Sequence, residues 1–116
     1  IVGKGSDLGG GCSTMGTLSG GGNIIISVGE ECLIGANAGL GIPLGDRCTI
    51  EAGLFVTAGT KVALLDDARN VVETVAARDL ASRSDLLFRR NSLSGSVECV
   101  TNKTAIELNE SLHANN

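Results

Sequence analysis

The sequence predicts an all-β fold, a left-handed parallel β-helix of hexapeptide repeats with a β-hairpin extension and a short C-terminal helix. Three observations lead to this prediction. Sixteen of the 17 glycines lie at or before Gly59, and the first 60 residues carry only seven charges. In the same half, aliphatic residues recur every six positions. A six-residue period of this kind is typical of a β-solenoid, in which each repeat forms one face of a coil.

Each repeat begins with an aliphatic residue, and in most repeats the next residue is glycine. The pairs are Val2-Gly3, Leu8-Gly9, Val28-Gly29, Ile34-Gly35, Leu40-Gly41 and Leu44-Gly45, and the register continues at Ile50 and Val56. Four places after the aliphatic position comes a small or β-branched residue, with Leu54 as the one bulky exception: Ser6, Cys12, Cys32, Ala38, Cys48 and Thr60. The phase breaks between Leu8 and Val28 and again between Leu40 and Leu44.

With three short strands per coil, the chain would form a triangular prism. The side chains at both repeat positions would point into its narrow lumen. We expect the glycines to relieve the tight turns, where positive φ is frequent. Each coil covers its neighbour, so stability is a sum of nearest-neighbour contacts. Cys12, Cys32 and Cys48 fall in the small inward position. We interpret them as small buried residues rather than as redox or catalytic groups.

The second half has a different pattern, and we place the division after residue 62. Residues 1–62 are predicted to form the coils, and residues 63–116 a set of elements that packs on them. Apolar segments 62–65 and 71–75 flank a polar turn, which predicts a hairpin. A helical turn is predicted at 78–81, extended segments at 86–88 and 97–100, and a terminal helix at 104–113.

Composition excludes several classes of function. The net charge is -4 and only 2% of residues are aromatic, which argues against a nucleic-acid binder. The longest apolar run, residues 24–26, is far too short to span a bilayer. The chain has no C-x-x-C pair, and His113 is its only histidine, so we expect no metal site and reduced thiols in the cytoplasm. It opens without methionine or a signal sequence, and we expect its natural beginning to lie upstream.

Three features could have a role in ligand binding or catalysis, and each also has a purely structural interpretation. The loop GGGCSTMGTLSGGGN at 9–23 is either a flexible bulge or a glycine-lined turn that a ligand approaches closely. Glu51 replaces the repeat glycine and is either a ligand contact or a solvated turn residue. The other carboxylates of the coils are Asp7, Glu30, Glu31 and Asp46, and we interpret Glu30-Glu31 and Asp46-Arg47 as solvated turn residues at the corners. Arg89 and Arg90 either bind phosphate or pair with a neighbouring carboxylate at a solvated edge.

Longer segments of the sequence carry a family resemblance. GGGCSTMGTLSGGGN, CLIGANAGLGIPLGDRCTIEAGLFVTAGTKV and LLFRRNS closely resemble the tetrahydrodipicolinate N-succinyltransferases, and the resemblance extends to the tail AIELNESLHANN. It implies a homotrimer of left-handed β-helices with active sites in grooves between subunits. It also implies transfer of a succinyl group from succinyl-CoA to the amino nitrogen of tetrahydrodipicolinate, a step of diaminopimelate and lysine biosynthesis.

The resemblance assigns roles to individual residues. It places the backbone of Gly16 at the reacting acyl carbon as an oxyanion donor. The positions that match succinyl-CoA contacts are Gly10, Ser13, Ala36, Glu51, Ala52 and Gly59 in the coils, with Arg89, Arg90, Asn91 and Ser92 after them.

The sequence departs from the family pattern at several positions. The catalytic Glu of the family, and an Arg two places after it, would lie upstream of Ile1, so we expect this chain alone to be inactive. Ala76 stands where the family often has Lys, and Cys12 where it often has Ala. Two other hypotheses stay open: a hexapeptide acyltransferase with a different acceptor amine, and a non-catalytic trimerising β-helix module.

Overall fold

The computed structural model describes residues 1–15 and 26–101. In this part of the chain the longest strand has six residues, and the elements before Lys61 are two-residue strands joined by turns. The strands are β1 (Asp7–Leu8), β2 (Ser13–Thr14), β3 (Leu33–Ile34), β4 (Gly39–Leu40), β5 (Thr49–Ile50), β6 (Phe55–Val56), β7 (Lys61–Leu65), β8 (Val71–Ala76), β9 (Leu86–Arg90) and β10 (Val97–Thr101).

The short strands stack in parallel as the faces of a solenoid. β1, β3 and β5 form one ladder, and β2, β4 and β6 form a second. A parallel bridge between Val2 and Val28 marks a third face. Asp7 pairs with Leu33 and Leu33 with Thr49, so successive coils take 26 and 16 residues instead of the 18 of three hexapeptides. Both predicted phase breaks fall in these irregular coils.

The two predicted repeat positions fill the lumen of the solenoid. Buried residues of the second half complete the core: Val62, Leu64, Ala77, Leu80, Leu86, Phe88 and Cys99. The aliphatic position is buried from Val28 onward, and the small position is buried at Cys32, Ala38 and Cys48. Leu54, the bulky exception, is 1% exposed and also points inward. Val2 and Leu8, in the first coil, are 46% and 43% exposed. Burial therefore follows the six-residue period in the second and third coils and weakens in the first.

The structure corrects the role expected for the repeat glycines. The glycines after the aliphatic position are not at positive φ. Among the residues that the structure describes, the positive-φ glycines are Gly5, Gly11, Gly53 and Gly95. A Cβ on Gly9 would lie 2.5 Å from the Ala36 nitrogen of the next coil. A Cβ on Gly35 would likewise lie 2.5 Å from the Ala52 Cα. These glycines are therefore required by the close approach of successive coils, not by turn conformation.

The left-handed backbone occurs instead three residues after the aliphatic position, at the corners. Stacked residues at the first corner are Gly5, Glu31, Arg47 and Asp85, with φ between 54° and 75°. Stacked residues at the second corner are Gly11, Asn37 and Gly53, with φ between 58° and 76°. Backbone hydrogen bonds join the stacked turns, which explains why non-glycine residues are held in this region despite its steric cost.

The second half extends the sheet of the first ladder. β9 pairs in parallel with β5 and antiparallel with β10, which pairs in parallel with β7. β7 and β8 form the predicted antiparallel hairpin. The predicted helical turn is a 3₁₀-helix, Ala77–Leu80, whose residues Ala77 and Leu80 are buried. Phe88 on β9 is fully buried and closes the lumen beside Ile50. The predicted terminal helix lies outside the described residues.

Candidate functional site

Three of the predicted coenzyme-contact residues meet at the second corner of the solenoid. Gly10, Ala36 and Ala52 occupy equivalent turn positions in successive coils. The Asn37 amide donates to the Gly10 carbonyl at 2.9 Å, and the Gly53 amide donates to the Ala36 carbonyl at 2.8 Å. All three residues are exposed, and a Cβ on Gly10 would meet no atom within 4 Å. The stack is therefore a column of small residues along which an extended ligand can approach the backbone.

Glu51 continues this corner toward β9. Its amide donates to the Phe88 carbonyl at 3.0 Å, and its carbonyl accepts from the Leu54 amide at 3.2 Å. Its side chain is exposed. Because Ile50 pairs with Phe88, the chain positions that follow, Glu51 and Arg89, are neighbours. The fold thus brings the corner stack and the arginine segment together, although Arg89 lies 37 positions after Ala52 in the sequence.

Two further predicted residues frame the outer face of the β2–β4–β6 sheet. Ser13 is exposed on β2, at the start of this face, and Gly59 is exposed in the turn that follows β6. Between them the Phe55 ring lies over Gly39, where a Cβ would overlap it, and the Met15 Cε would be 3.0 Å from that Cβ. Sequence reasoning missed Phe55, which is 52% exposed. The sequence feature that could have identified it is an aromatic residue at an outward position, between the buried residues Leu54 and Val56.

The arginine segment is tied to a buried carboxylate. Glu98 on β10 is only 7% exposed and lies directly opposite Arg89. The Arg89 Nε donates to Glu98 Oε1 at 3.1 Å, and the Asn91 Nδ2 donates to Glu98 Oε2 at 3.2 Å. Arg89 thus forms the ion pair with a neighbouring carboxylate that the sequence offered as one alternative, and its contact with the coenzyme stays a prediction. Glu98 was not singled out from the sequence, because only the antiparallel register brings it to the segment.

Arg90 and Ser92 belong to the exposed part of this segment. Both are exposed, and the Arg90 Nη1 donates to the Gly95 carbonyl at 3.0 Å. The Asn91 Oδ1 accepts from the amides of Leu93 and Ser94 at 2.9 and 3.0 Å. A guanidinium has five donors in a fork that matches phosphate oxygens, so Arg90 can bind an anion while it keeps its bond to the loop.

The carboxylates of the first corner have structural partners. The Asp46 Oδ1 accepts from the Glu30 amide at 2.8 Å, and Glu31 is an exposed turn residue. Arg47 forms an ion pair with Asp85 at 2.7 Å, which raises the pKa of the Arg47 guanidinium. The interpretation of Glu30, Glu31, Asp46 and Arg47 as turn residues is consistent with this arrangement. Asp7 is exposed on β1.

Other predicted features fall partly or wholly outside the described residues. These are Gly16, most of the loop 9–23, and His113. Within residues 1–15 and 26–101, no three histidine, cysteine, aspartate or glutamate side chains are grouped as a metal site would require. In the same ranges, no helix has the length and apolar character to cross a membrane. The four cysteines are unpaired thiols, three of them buried.

The sequence matches known proteins along its whole length. The family described as the hexapeptide repeat of succinyl-transferase matches residues 25–58. The 2,3,4,5-tetrahydropyridine-2,6-dicarboxylate N-succinyltransferases of Pseudomonas paraeruginosa and Pseudomonas aeruginosa are each 78% identical over all 116 residues. The Vibrio cholerae enzyme of the same name is 67% identical over the same length. The chain spans 34% of the length of each of these relatives.

A solved structure agrees in fold. A Campylobacter jejuni protein, assigned as a 2,3,4,5-tetrahydropyridine-2-carboxylate N-succinyltransferase, superposes with a TM-score of 0.77 at 43% identity. The superposition covers 91% of this chain and 30% of that protein. Together, the sequence and structural matches confirm the family resemblance that the sequence motifs predicted.

Proposed function

We infer that this chain is the part of a tetrahydrodipicolinate N-succinyltransferase to which these relatives align. We propose that it forms the succinyl-CoA side of an active site that transfers succinyl to the amino nitrogen of tetrahydrodipicolinate. The observation that carries the proposal is the 78% identity over all 116 residues. At such identity the residues that contact a ligand are expected to keep their positions.

The arrangement of the predicted contacts supports this assignment. Gly10, Ala36 and Ala52 form a continuous column of small exposed residues, and Glu51 links it to the arginine segment. An acyl-coenzyme A is a long flexible chain with phosphates at one end, so it needs close backbone approach along its arm and cationic donors at that end. The column offers the first and Arg90 the second. Ser13 and Gly59 would contact the substrate on the adjoining β2–β4–β6 face.

Catalysis itself needs groups beyond those described. Thioester attack develops negative charge on the acyl oxygen, which a backbone N–H can stabilise, and we propose Gly16 for this role. The amine must also lose a proton to a general base. We propose that the base is a glutamate upstream of Ile1. The chain would then bind the donor substrate while residues outside it complete the chemistry.

We further propose that the coils wind left-handed and that three copies associate into a homotrimer in the cytoplasm. The match to a hexapeptide-repeat family supports the handedness. The division of the chain after residue 62 stays a prediction.

The test is a succinyl-transfer assay on the full-length product of the gene that encodes this chain. Release of the coenzyme A thiol is followed with succinyl-CoA as donor and tetrahydrodipicolinate as acceptor. Acceptor-dependent release supports the proposal, and release with other amines only would favour an acyltransferase with a different acceptor. If no acyl-CoA and amine pair reacts while sedimentation shows a trimer, the non-catalytic β-helix module is the better description.

A further inference from the structure

Glu98 is a buried carboxylate on a strand that has neighbours on both sides. β10 lies between β9 and β7, and Glu98 faces Arg89 on one side and Ala63 on the other. A carboxylate that is 7% exposed must have its charge and lone pairs satisfied, or its burial is costly. Each of its two oxygens accepts a hydrogen bond from the segment that follows the buried part of β9.

These two bonds anchor Arg89 and Asn91 to Glu98 and leave the side chain of Arg90 exposed. Arg89 is neutralised by the Glu98 ion pair, and its side chain is 33% exposed. Asn91 is bonded to Glu98 through its amide nitrogen, while its amide oxygen accepts from Leu93 and Ser94. One buried charge therefore fixes the start of the turn that carries Arg90 into solvent.

The turn itself is closed by backbone bonds that start from Asn91. The Asn91 amide donates to the Ser96 carbonyl at 2.8 Å, and the Gly95 amide donates to the Asn91 carbonyl at 2.8 Å. Arg90 in turn donates to the Gly95 carbonyl. The direction of the Arg90 side chain therefore depends on the position of Gly95. Gly95 is held by Asn91, and the side-chain amide of Asn91 is oriented by Glu98.

We propose that Glu98 is a positioning residue for coenzyme binding: it neutralises Arg89 and orients the 91–96 turn, so that Arg90 is the guanidinium that binds the phosphates of the coenzyme. This inference rests on the proposed function, and it separates two arginines that the sequence resemblance treats alike. Arg89 acts inside the protein, and Arg90 acts on the ligand.

A double-mutant cycle tests the proposal, with binding of coenzyme A by the full-length gene product measured by isothermal titration calorimetry. Arg90→Gln removes the phosphate contact and is expected to weaken coenzyme A binding about tenfold. Glu98→Gln puts an amide donor against Asn91 or Arg89 and is expected to weaken binding about fivefold. Because Glu98 acts through Arg90, the double variant should be no weaker than about tenfold, rather than about fiftyfold.

Matched controls remove the same charges elsewhere. Asp67→Asn and Arg69→Gln lie in the exposed turn of the β7–β8 hairpin and should leave the dissociation constant within twofold. All variants are measured at a temperature below their melting transitions, so that a loss of stability is not recorded as a loss of affinity.

Several results would overturn the proposal. Multiplicative effects would show that Glu98 acts independently of Arg90, and unchanged affinity in Glu98→Gln would show that it only stabilises the sheet. Tighter binding in Glu98→Gln would mean that Arg89, once released, binds the phosphates itself. Wild-type protein that does not bind coenzyme A removes this proposal and the proposed function together. Wild-type protein that binds coenzyme A without transferring succinyl removes the proposed function alone, and the cycle still decides the role of Glu98.

Discussion

The backbone amide of Cys48 donates a hydrogen bond to the Sγ of Cys32, 3.4 Å away in the preceding coil. The Cys32 thiol itself donates to the Gly45 carbonyl at 3.1 Å, and the Cys48 thiol donates to the Arg83 carbonyl at 3.2 Å. Ser6 has the same place in the first coil, where its Oγ accepts from the Cys32 amide at 3.0 Å. The small inward position therefore joins successive coils by hydrogen bonds as well as filling the lumen.

Replacement of Cys48 by leucine should destabilise the protein, since Cys48 is fully buried in the narrow part of the lumen. Overpacking a closed core costs about 1–3 kcal/mol, and the change also removes the thiol bond to Arg83. Urea denaturation of the variant and the parent measures the difference. Cys12→Leu is the matched control, because Cys12 has the same repeat position but is only half-buried. Equal losses at the two positions would contradict the model of a lumen that is tight only in the inner coils.

The buried thiols should make the protein less stable in alkaline solution. Burial raises the pKa of Cys48 from 9.0 to about 11 and that of Cys99 to about 12. Unfolding returns both thiols to their ordinary pKa, so above pH 9 the unfolded chain loses protons that the folded chain keeps. The free energy of unfolding is therefore unaffected by these thiols below pH 9. It decreases as pH rises from 9 toward 11 and 12, by up to about 1.4 kcal/mol per pH unit for each thiol.

Chemical denaturation at a series of pH values from 7 to 11 measures this slope. Cys48→Ser, which cannot ionise in this range, should flatten it, and Cys12→Ser serves as the matched control. The same thiols should resist iodoacetamide at pH 8 in the folded protein and react after denaturation, because the thiolate is the nucleophile. Rapid alkylation of Cys48 or Cys99 in the folded state would show that the lumen opens to solvent.

Two glycine substitutions compare a position where successive coils approach closely with a position that faces open space. Gly35→Ala places a methyl group against the Ala52 backbone, which cannot move without opening the coil, and should cost at least about 3 kcal/mol. Gly10→Ala points into open space and has no positive φ, so it should change stability by less than about 0.5 kcal/mol. Thermal melts of both variants check the contrast. A mild effect of Gly35→Ala would mean that the coils can separate at low cost.

The period of six identified the inward residues correctly because it is a property of the covalent spacing alone. Val28, Ile34 and Ile50 could be assigned to the lumen without knowledge of any contact. The role of the repeat glycines could not be assigned in this way, since it depends on the distance between coils. The left-handed corners at Glu31 and Arg47 were equally hidden, because neither residue type favours that backbone region and only the stacked turns impose it.

The candidate site shows the same limit. Gly10, Ala36 and Ala52 are equivalent positions of the repeat, so the repeat itself predicts that they stack. The pairing of Arg89 with Glu98 requires the antiparallel register of β9 and β10, which no local pattern encodes. The position of Phe55 over Gly39 requires the register of β6 on β4. Residues brought together by repetition could therefore be predicted, whereas residues brought together by the elements added to the coils could not.

The open space at Gly10 allows a test of ligand binding that does not disturb the fold. Gly10→Leu should extend from the corner column into the path proposed for the coenzyme arm, and should raise the KM for succinyl-CoA at least tenfold. Because a Cβ there meets no atom within 4 Å, the melting temperature should stay within about 2 °C of the parent value. Ala68→Leu, in the exposed hairpin turn, adds a comparable side chain away from the column and should change neither quantity. An unchanged KM in Gly10→Leu would place the coenzyme on another surface and would remove the corner column from the proposed site.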